Sequence, residues 1–207
     1  MATRHETIVW ALGTATSRDA TFAAPVFPSA VKDSRTGRQT VGSGAVHKST
    51  AWRSRTDASL RDWVASRLAE RRATAGFATD HPVSVSLAHS AGHAIAGAAS
   101  HPARIGVDLE RQGSIDAAHI RYFLVPREQE QLGRLSVTDL WTLKEAAWKA
   151  LGLDDTIPFT RLELLFDADG APYAARYGSM IEPIAAQLRE PWPGWVAAVV
   201  LLAGTAA

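Results

Sequence analysis

The chain has 207 residues, 46% of them hydrophobic and 21% charged, so it is long and apolar enough to fold as one domain or as two halves of about 100 residues. It contains no Cys, which excludes disulfides, thiolate nucleophiles and cysteine-ligated metal sites. The net charge is +1, but it is unevenly distributed. Residues 1–100 carry 12 Lys or Arg and 7 Asp or Glu, whereas residues 101–207 carry 10 Lys or Arg and 14 Asp or Glu. The basic excess in the first half is too small to indicate a nucleic-acid-binding protein.

The first half of the sequence is predicted to form strands around one helix. Residues 7–12 favour an opening strand. Residues 17–51, which are rich in Ala, Ser, Thr, Gly and Pro, favour a loop or only local order. Residues 57–72 repeat apolar side chains at helical spacing after a cap at Thr56 or Asp57. Residues 83–88 alternate as a strand does, and the Ala-rich run 93–100 is short enough to favour the second strand of a hairpin over a helix.

The second half is predicted to contain strands and two helices. Residues 104–110 alternate as a strand, and a helix around 117–135 is interrupted at Val125-Pro126. A second helix runs from 139 to about 151, capped by Thr138-Asp139 and ended by Gly152. Residues 161–166 and 171–177 flank a turn and predict a hairpin, and residues 195–202 predict a last strand.

Two stretches of the sequence are informative about the cellular location of the protein. Residues 1–13 lack the basic and apolar regions of a signal peptide. The longest apolar run, 195–203, has nine residues, which is about half of what a bilayer-spanning helix needs. We therefore expect a soluble, cytoplasmic protein without a membrane segment.

Two carboxylates share one face of the predicted strand 104–110. Because side chains alternate along a strand, Asp108 and Glu110 project to the same side, about 7 Å apart. A hard divalent cation such as Mg²⁺ relieves the repulsion between such anions, and Gly106 on the same face is expected to leave room for a ligand. The same alternation is also typical of an ordinary half-buried strand with a polar outer face.

A third carboxylate lies on the predicted helix 139–151. Glu145 and Lys149 are spaced as an i, i+4 ion pair, which is common on solvated helices. Trp141 and Trp148 flank the pair and argue against a merely solvated face. If Glu145 lay close to the two strand carboxylates, the three negative charges would repel one another unless a cation lay between them. Lys149 would then point at an anionic ligand bound by that cation.

A histidine precedes a loop of small residues at the end of strand 83–88. His89 is followed by Ser90, Ala91 and Gly92, a loop that can offer backbone N–H groups to a phosphate. The alternative is a turn histidine with only local hydrogen bonds. The sequence lacks the zinc-protease, nucleophile-elbow and Walker motifs.

Three segments in this order resemble the signature motifs of the 4′-phosphopantetheinyl transferases of the Sfp type: Ser86-Leu-Ala-His89-Ser-Ala-Gly92, Ile105-Gly-Val-Asp108-Leu-Glu110 and Trp141-Thr-Leu-Lys144-Glu145-Ala-Ala-Trp-Lys149. The resemblance covers roughly residues 83–205. It implies an α+β fold of two similar halves, residues 1–101 and 102–207, related by a pseudo-two-fold axis. It also implies a monomer with CoA in the cleft between the halves.

The resemblance further implies an enzyme, a holo-(acyl-carrier-protein) synthase. This enzyme transfers phosphopantetheine from CoA to a serine of an apo acyl or peptidyl carrier protein and releases 3′,5′-adenosine bisphosphate. It implies Mg²⁺, with Mn²⁺ as a substitute, held by Asp108, Glu110 and Glu145. Glu145 would then be the base for the serine hydroxyl, either directly or through a metal-bound water, and Lys149 would stabilise charge on the pyrophosphate.

The predicted CoA contacts lie in both halves of the sequence. His89 and Ser90 come from the resemblance, and Lys48, Arg53 and Arg55 are assigned by charge alone as candidates for the 3′-phosphate. Lys144 is a further CoA candidate in the helix motif. The sequence does not distinguish fatty-acid, polyketide and peptide synthetase carriers, although secondary metabolism is the expected setting.

The sequence is also compatible with three other functions. A phosphohydrolase can use the same three carboxylates on another phosphate ester. A non-catalytic relative can bind CoA or a carrier protein, although the intact acids and Lys149 argue against it. A basic nucleic-acid-binding protein leaves the carboxylates unexplained.

Overall fold

The computed structural model describes residues 8–14, 31–32, 39–40, 57–75, 77, 82–154 and 157–203. The chain divides into two compact units, Met1–His101 and Pro102–Ala207. Helices and antiparallel sheets occur together, which confirms the α+β class. The pseudo-two-fold relation, the cleft and the separate roles assigned to residues 1–101 and 102–207 stay predictions.

The first unit contains a three-stranded antiparallel sheet and one long helix. The strands β1 (Ile8–Thr14), β4 (Val83–Ser90) and β5 (His93–Ser100) pair in the order β1-β5-β4. Helix α1 spans Asp57–Thr74. These elements confirm the predicted opening strand, helix and hairpin. The part predicted as a loop holds two short paired strands, β2 (Val31–Lys32) and β3 (Gln39–Thr40).

Alanine side chains form the contact between α1 and β5. Three helix alanines spaced four apart pack against three strand alanines spaced two apart, so that both sets lie on the facing sides. The helix residues are Ala65, Ala69 and Ala73, and the strand residues are Ala94, Ala96 and Ala98. Small side chains allow the helix and the strand to approach closely, which explains why an Ala-rich run forms a buried strand here.

The second unit is a five-stranded antiparallel sheet in the order β6-β10-β9-β8-β7. The strands are β6 (Arg104–Arg111), β7 (Leu162–Phe166), β8 (Pro172–Tyr177), β9 (Met180–Arg189) and β10 (Trp195–Leu202). Strand β9 was not predicted. It contains Pro183, and its side chains alternate between exposed and half-buried without a fully buried residue, so its sequence pattern is weak.

Short helical segments replace the long helix predicted over 117–135. The chain forms a 3₁₀ turn at Ala117–His119, then α2 (Ile120–Phe123) and α3 (Pro126–Gln129). Leu124 and Val125 are extended. Val125 directly precedes a proline, which disfavours the helical conformation, and Pro126 then starts the next helix. The predicted break at Val125-Pro126 is therefore confirmed, but the prediction that the helix continues to residue 135 was wrong, because it ends at Gln129.

Helix α4 (Val137–Leu151) carries the second-half motif and packs on the sheet. Ser136 caps it, rather than the predicted Thr138-Asp139, in a reciprocal box. The Asp139 N–H donates to Ser136 Oγ at 3.0 Å, and the Ser136 N–H donates to Asp139 Oδ2 at 2.8 Å. Gly152, with φ +61°, ends the helix as predicted. No helix in the described part of the chain is long and apolar enough to span a membrane.

Gly106 is the point at which β6 meets α4. A Cβ atom at this position would overlap the carbonyl oxygen of Ala146 and would lie 2.5 Å from the amide nitrogen of Ala150. The expectation that Gly106 leaves room for a ligand was therefore wrong. The space is filled by the helix backbone, and the missing side chain lets α4 lie close to the acidic end of β6.

Gly106→Ala is expected to lower the free energy of unfolding by about 3 kcal/mol, because a methyl group there displaces the helix backbone. Urea unfolding followed by circular dichroism measures this loss. An unchanged midpoint would contradict the close contact between β6 and α4.

Candidate metal centre

Three carboxylates from two elements meet in the second unit. Asp108 and Glu110 lie on the same face of β6 as Gly106, the face that packs against α4. Glu145 lies on α4, directly before Ala146, whose backbone contacts Gly106. One carboxylate oxygen from each acid lies within 4.8 Å of the others. The packing of α4 on β6 thus brings together acids that the sequence separates by up to 37 positions.

Asp108 is the most deeply buried of the three acids, with 3% of its surface exposed. Its Oδ1 accepts a hydrogen bond from Lys149 Nζ at 2.7 Å, whereas its buried Oδ2 has no partner among the described residues. Burial raises the pKa of Asp108 to about 7. Lys149 opposes this shift, and the charges of Glu145 and Glu110 add to it.

The raised pKa of Asp108 makes stability depend on pH. The group binds a proton more readily in the folded chain than at its ordinary pKa of 3.8, so its stabilising contribution is present at low pH and is lost as the pH rises through about 7. In the presence of a chelator, we expect the free energy of unfolding to fall between about pH 4 and pH 7. Urea titrations across this range should show a flatter profile for Asp108→Asn, and an equally steep one would contradict the assignment.

Glu110 is held at both oxygens. The Trp141 indole N–H donates to Oε1 at 3.3 Å, and the Ser114 hydroxyl donates to Oε2 at 3.2 Å. Burial raises the pKa of Glu110, and the Ser114 hydrogen bond opposes this shift. The carboxylate therefore has a defined orientation at the end of β6.

Lys149 is the cation of the cluster. Its Nζ lies 2.7 Å from Asp108 Oδ1 and 3.3 Å from Glu145 Oε1. Burial alone lowers the pKa of Lys149, but the charges of Asp108 and Glu145 outweigh burial and raise it. The ammonium group is therefore charged at neutral pH, and it balances only part of the charge that three ionised acids would carry.

The donor set fits a hard divalent cation. Such ions prefer oxygen ligands, and the three acids supply one oxygen each within a small volume. The buried, unpartnered Oδ2 of Asp108 is a further sign of fit, since a buried carboxylate oxygen normally has a partner.

Lys144 does not join this cluster. Its side chain is fully buried and forms an ion pair with Glu128, which is also fully buried. Glu128 in addition accepts hydrogen bonds from the N–H groups of Val125 and Leu164, each at 2.8 Å. Burial raises the pKa of Glu128 and lowers that of Lys144. A lysine without exposed surface gives no support to the predicted CoA contact, and its position indicates a structural role.

The predicted phosphate loop lies at the hairpin turn of the first unit. Ala91 and Gly92 have positive φ angles of +46° and +80°, as a tight two-residue turn requires. The Gly92 N–H donates to Oδ1 of Asp62 on α1, and Asp62 Oδ2 lies 3.7 Å from Nδ1 of the half-exposed His89. The loop was expected to offer N–H groups to a phosphate, but the Gly92 N–H is already donated to a carboxylate.

The structure brings together some of the predicted site residues but not all of them. Asp108, Glu110, Glu145 and Lys149 are brought together, and His89 and Ser90 are the last two residues of β4. Lys48, Arg53 and Arg55 lie outside the described residues. The sequence reasoning missed Glu128, Asp62 and Ser114, because none of them stands in a recognisable motif. A partial signal was the position of Glu128 two residues after Pro126, where an acid can bind the free N–H groups of a helix start.

Residues 104–200 match the family model of the 4′-phosphopantetheinyl transferase superfamily. The superfamily resemblance is confirmed for this stretch, and the Sfp subtype stays a prediction. No curated protein matches the chain closely enough to count as a relative.

Three solved structures are similar to about half of the chain. A holo-(acyl-carrier-protein) synthase from Thermotoga maritima is 19% identical, with 49% of this chain and 64% of that chain covered. A synthase from Bacillus anthracis str. Ames, in complex with CoA (3′,5′-ADP), is 19% identical over 49% of this chain and 96% of its own. An ACPS–CoA complex from Chronobacterium ammoniagenes is 19% identical over 51% and 100%. All three TM-scores are 0.40, too low to assign an activity here.

Proposed function

Because residues 104–200 match the 4′-phosphopantetheinyl transferase superfamily, we propose that this protein transfers phosphopantetheine from CoA to a serine of an apo acyl or peptidyl carrier protein. The observation that carries the proposal is the convergence of Asp108, Glu110 and Glu145 around Lys149 inside the matched region. The second product is 3′,5′-adenosine bisphosphate. We extend the proposal to a cytoplasmic monomer that acts in secondary metabolism.

The three acids would hold Mg²⁺, or Mn²⁺ in its place. When bound, such an ion neutralises charge on the CoA pyrophosphate and polarises its phosphorus–oxygen bonds. The unpartnered Oδ2 of Asp108 is available as a ligand without the loss of an existing hydrogen bond to a described residue. Glu110 is already oriented by two donors.

Glu145 is the proposed base. Its side chain is 26% exposed, so a serine hydroxyl can reach it from solvent, and Lys149 contacts its Oε1. The serine oxygen forms a bond to the phosphorus of the phosphopantetheine phosphate, the bond from that phosphorus to the bridging oxygen breaks, and the serine proton passes to Glu145. Lys149 then stabilises the charge that develops on the departing phosphate.

The first unit would contribute CoA contacts. His89 has a half-exposed imidazole beside Asp62, and Ser90 follows it as the last residue of β4, before the turn. Lys48, Arg53 and Arg55 extend the proposal by charge alone. An acidic carrier protein would also be attracted by the excess of basic residues in the first half of the sequence.

The test is to incubate the protein with CoA, Mg²⁺ and a panel of apo carrier proteins, and to weigh each carrier by mass spectrometry. We expect a phosphopantetheine adduct on a serine of at least one carrier, and a rate about 1000-fold lower for Glu145→Gln. Glu130→Gln, an exposed change on the same unit, is the control. Release of phosphate from CoA without carrier modification would instead indicate a hydrolase, and binding without either reaction would indicate a non-catalytic relative.

A further inference from the structure

Trp141 connects the helix motif to the strand motif through one hydrogen bond. Its indole N–H, on the first half of α4, donates to Oε1 of Glu110 on β6 at 3.3 Å. The other oxygen of Glu110 accepts from Ser114. The Glu110 carboxylate is therefore fixed from two sides, and Trp141 is the donor that belongs to the opposite element.

Aromatic rings on two sides hold the indole in place. Phe159 stacks on it with 5.1 Å between ring centroids and an interplanar angle of 25°, and the buried Phe123 meets it edge-on at 4.9 Å and 88°. Phe159 also stacks on Trp148 at 4.5 Å. A ring packed in this way cannot rotate freely, so the direction of its N–H is set by packing.

We propose that Trp141 is a positioning residue for Glu110: its indole N–H, held by Phe123 and Phe159, keeps the Glu110 carboxylate turned toward Asp108 and Glu145. The inference rests on the proposed function, since it assumes that Glu110 serves as a metal ligand. Without the N–H, the Glu110 carboxylate can rotate away from the like charges of the neighbouring acids. Part of the binding free energy of the metal ion is then needed to fix this carboxylate, so the affinity for the ion falls. Outer partners of this kind change metal affinity by about 10- to 100-fold.

The test measures Mn²⁺ binding to the full-length protein by electron paramagnetic resonance, without CoA or carrier. Trp141→Phe keeps an aromatic ring and removes the donor, so we expect about 10-fold weaker binding. The matched control is Trp148→Phe, which changes a tryptophan of the same ring stack and leaves the Trp141–Glu110 hydrogen bond in place. Its Mn²⁺ affinity should stay within about twofold of the wild type.

A double-mutant cycle with Glu110→Gln separates positioning from general damage. If Trp141 acts through Glu110, Trp141→Phe causes no further loss in the Glu110→Gln background. Should Trp141→Phe fail to fold, a benzothienylalanine at position 141 keeps the shape of the indole without its N–H, and the same loss is expected.

Each outcome decides the proposal. Unchanged Mn²⁺ affinity of Trp141→Phe, or a loss that persists in the Glu110→Gln background, overturns the positioning role and leaves the proposed transferase intact. A wild type that binds no Mn²⁺ overturns the metal role of Glu110 and this inference with it. Mn²⁺ binding with the expected coupling, but without carrier modification, supports the positioning role and counts against the transferase alone.

Discussion

Glu128→Gln is expected to lower the free energy of unfolding by about 3 kcal/mol, because it leaves the ammonium group of Lys144 buried without its counterion. The glutamine oxygen can still accept the N–H of Leu164, so the backbone contact between α3 and β7 is kept. Its NH2 group then faces the Val125 N–H and the Lys144 ammonium group, so these two hydrogen bonds are lost together with the charge. Chemical denaturation at neutral pH, with the midpoint and slope fitted together, measures the effect.

A double variant tests the origin of this loss. Glu128→Gln combined with Lys144→Met removes both charges, and it should be more stable than Glu128→Gln alone, since the uncompensated ammonium is gone. Glu130→Gln, an exposed change one position beyond α3, should stay within about 0.5 kcal/mol of the wild type. If the double variant were less stable than Glu128→Gln, Lys144 would be stabilised by contacts other than this ion pair.

The acids of the site could be predicted because each stands in a regular element. The alternation along 104–110 assigned Asp108 and Glu110 to one face, and the helical spacing put Glu145 and Lys149 on a common face. Their convergence depended on the packing of α4 on β6, which no periodicity encodes. Gly106 was the sequence signal for this contact, and it was interpreted as space for a ligand rather than for a helix.

Lys144 shows the limit of reading adjacent motif residues as one site. Neighbouring residues on a helix point about 100° apart, so Glu145 faces the acidic cluster while Lys144 faces the core. Its partner Glu128 lies in a short helix whose boundaries come from Pro126 and from tertiary contacts. Strand β9 was not predicted for a related reason. It forms by pairing with β8 and β10, whereas its own sequence lacks a strong alternation of apolar and polar residues.

Lys149→Gln is expected to lower the rate of carrier modification by about 100-fold at saturating CoA and Mg²⁺, if the proposed transfer is correct. The ammonium lies 2.7 Å from Asp108 and 3.3 Å from Glu145, so it is held at the acids by two partners and is charged when the phosphate departs. Removing an interaction that strengthens only as charge develops lowers the rate constant rather than the affinity for CoA, so the KM for CoA should change little.

Lys149→Arg is the matched variant, because it keeps the positive charge but replaces the compact ammonium with a planar group that does not reproduce both contacts. We expect its rate to lie between those of the wild type and Lys149→Gln. Initial rates of carrier modification by mass spectrometry, with CoA varied at fixed carrier concentration, separate the two parameters. A Lys149→Gln protein that kept its rate constant and lost only affinity for CoA would show that the lysine binds substrate equally in the ground state and the transition state, and the role in charge stabilisation would be wrong.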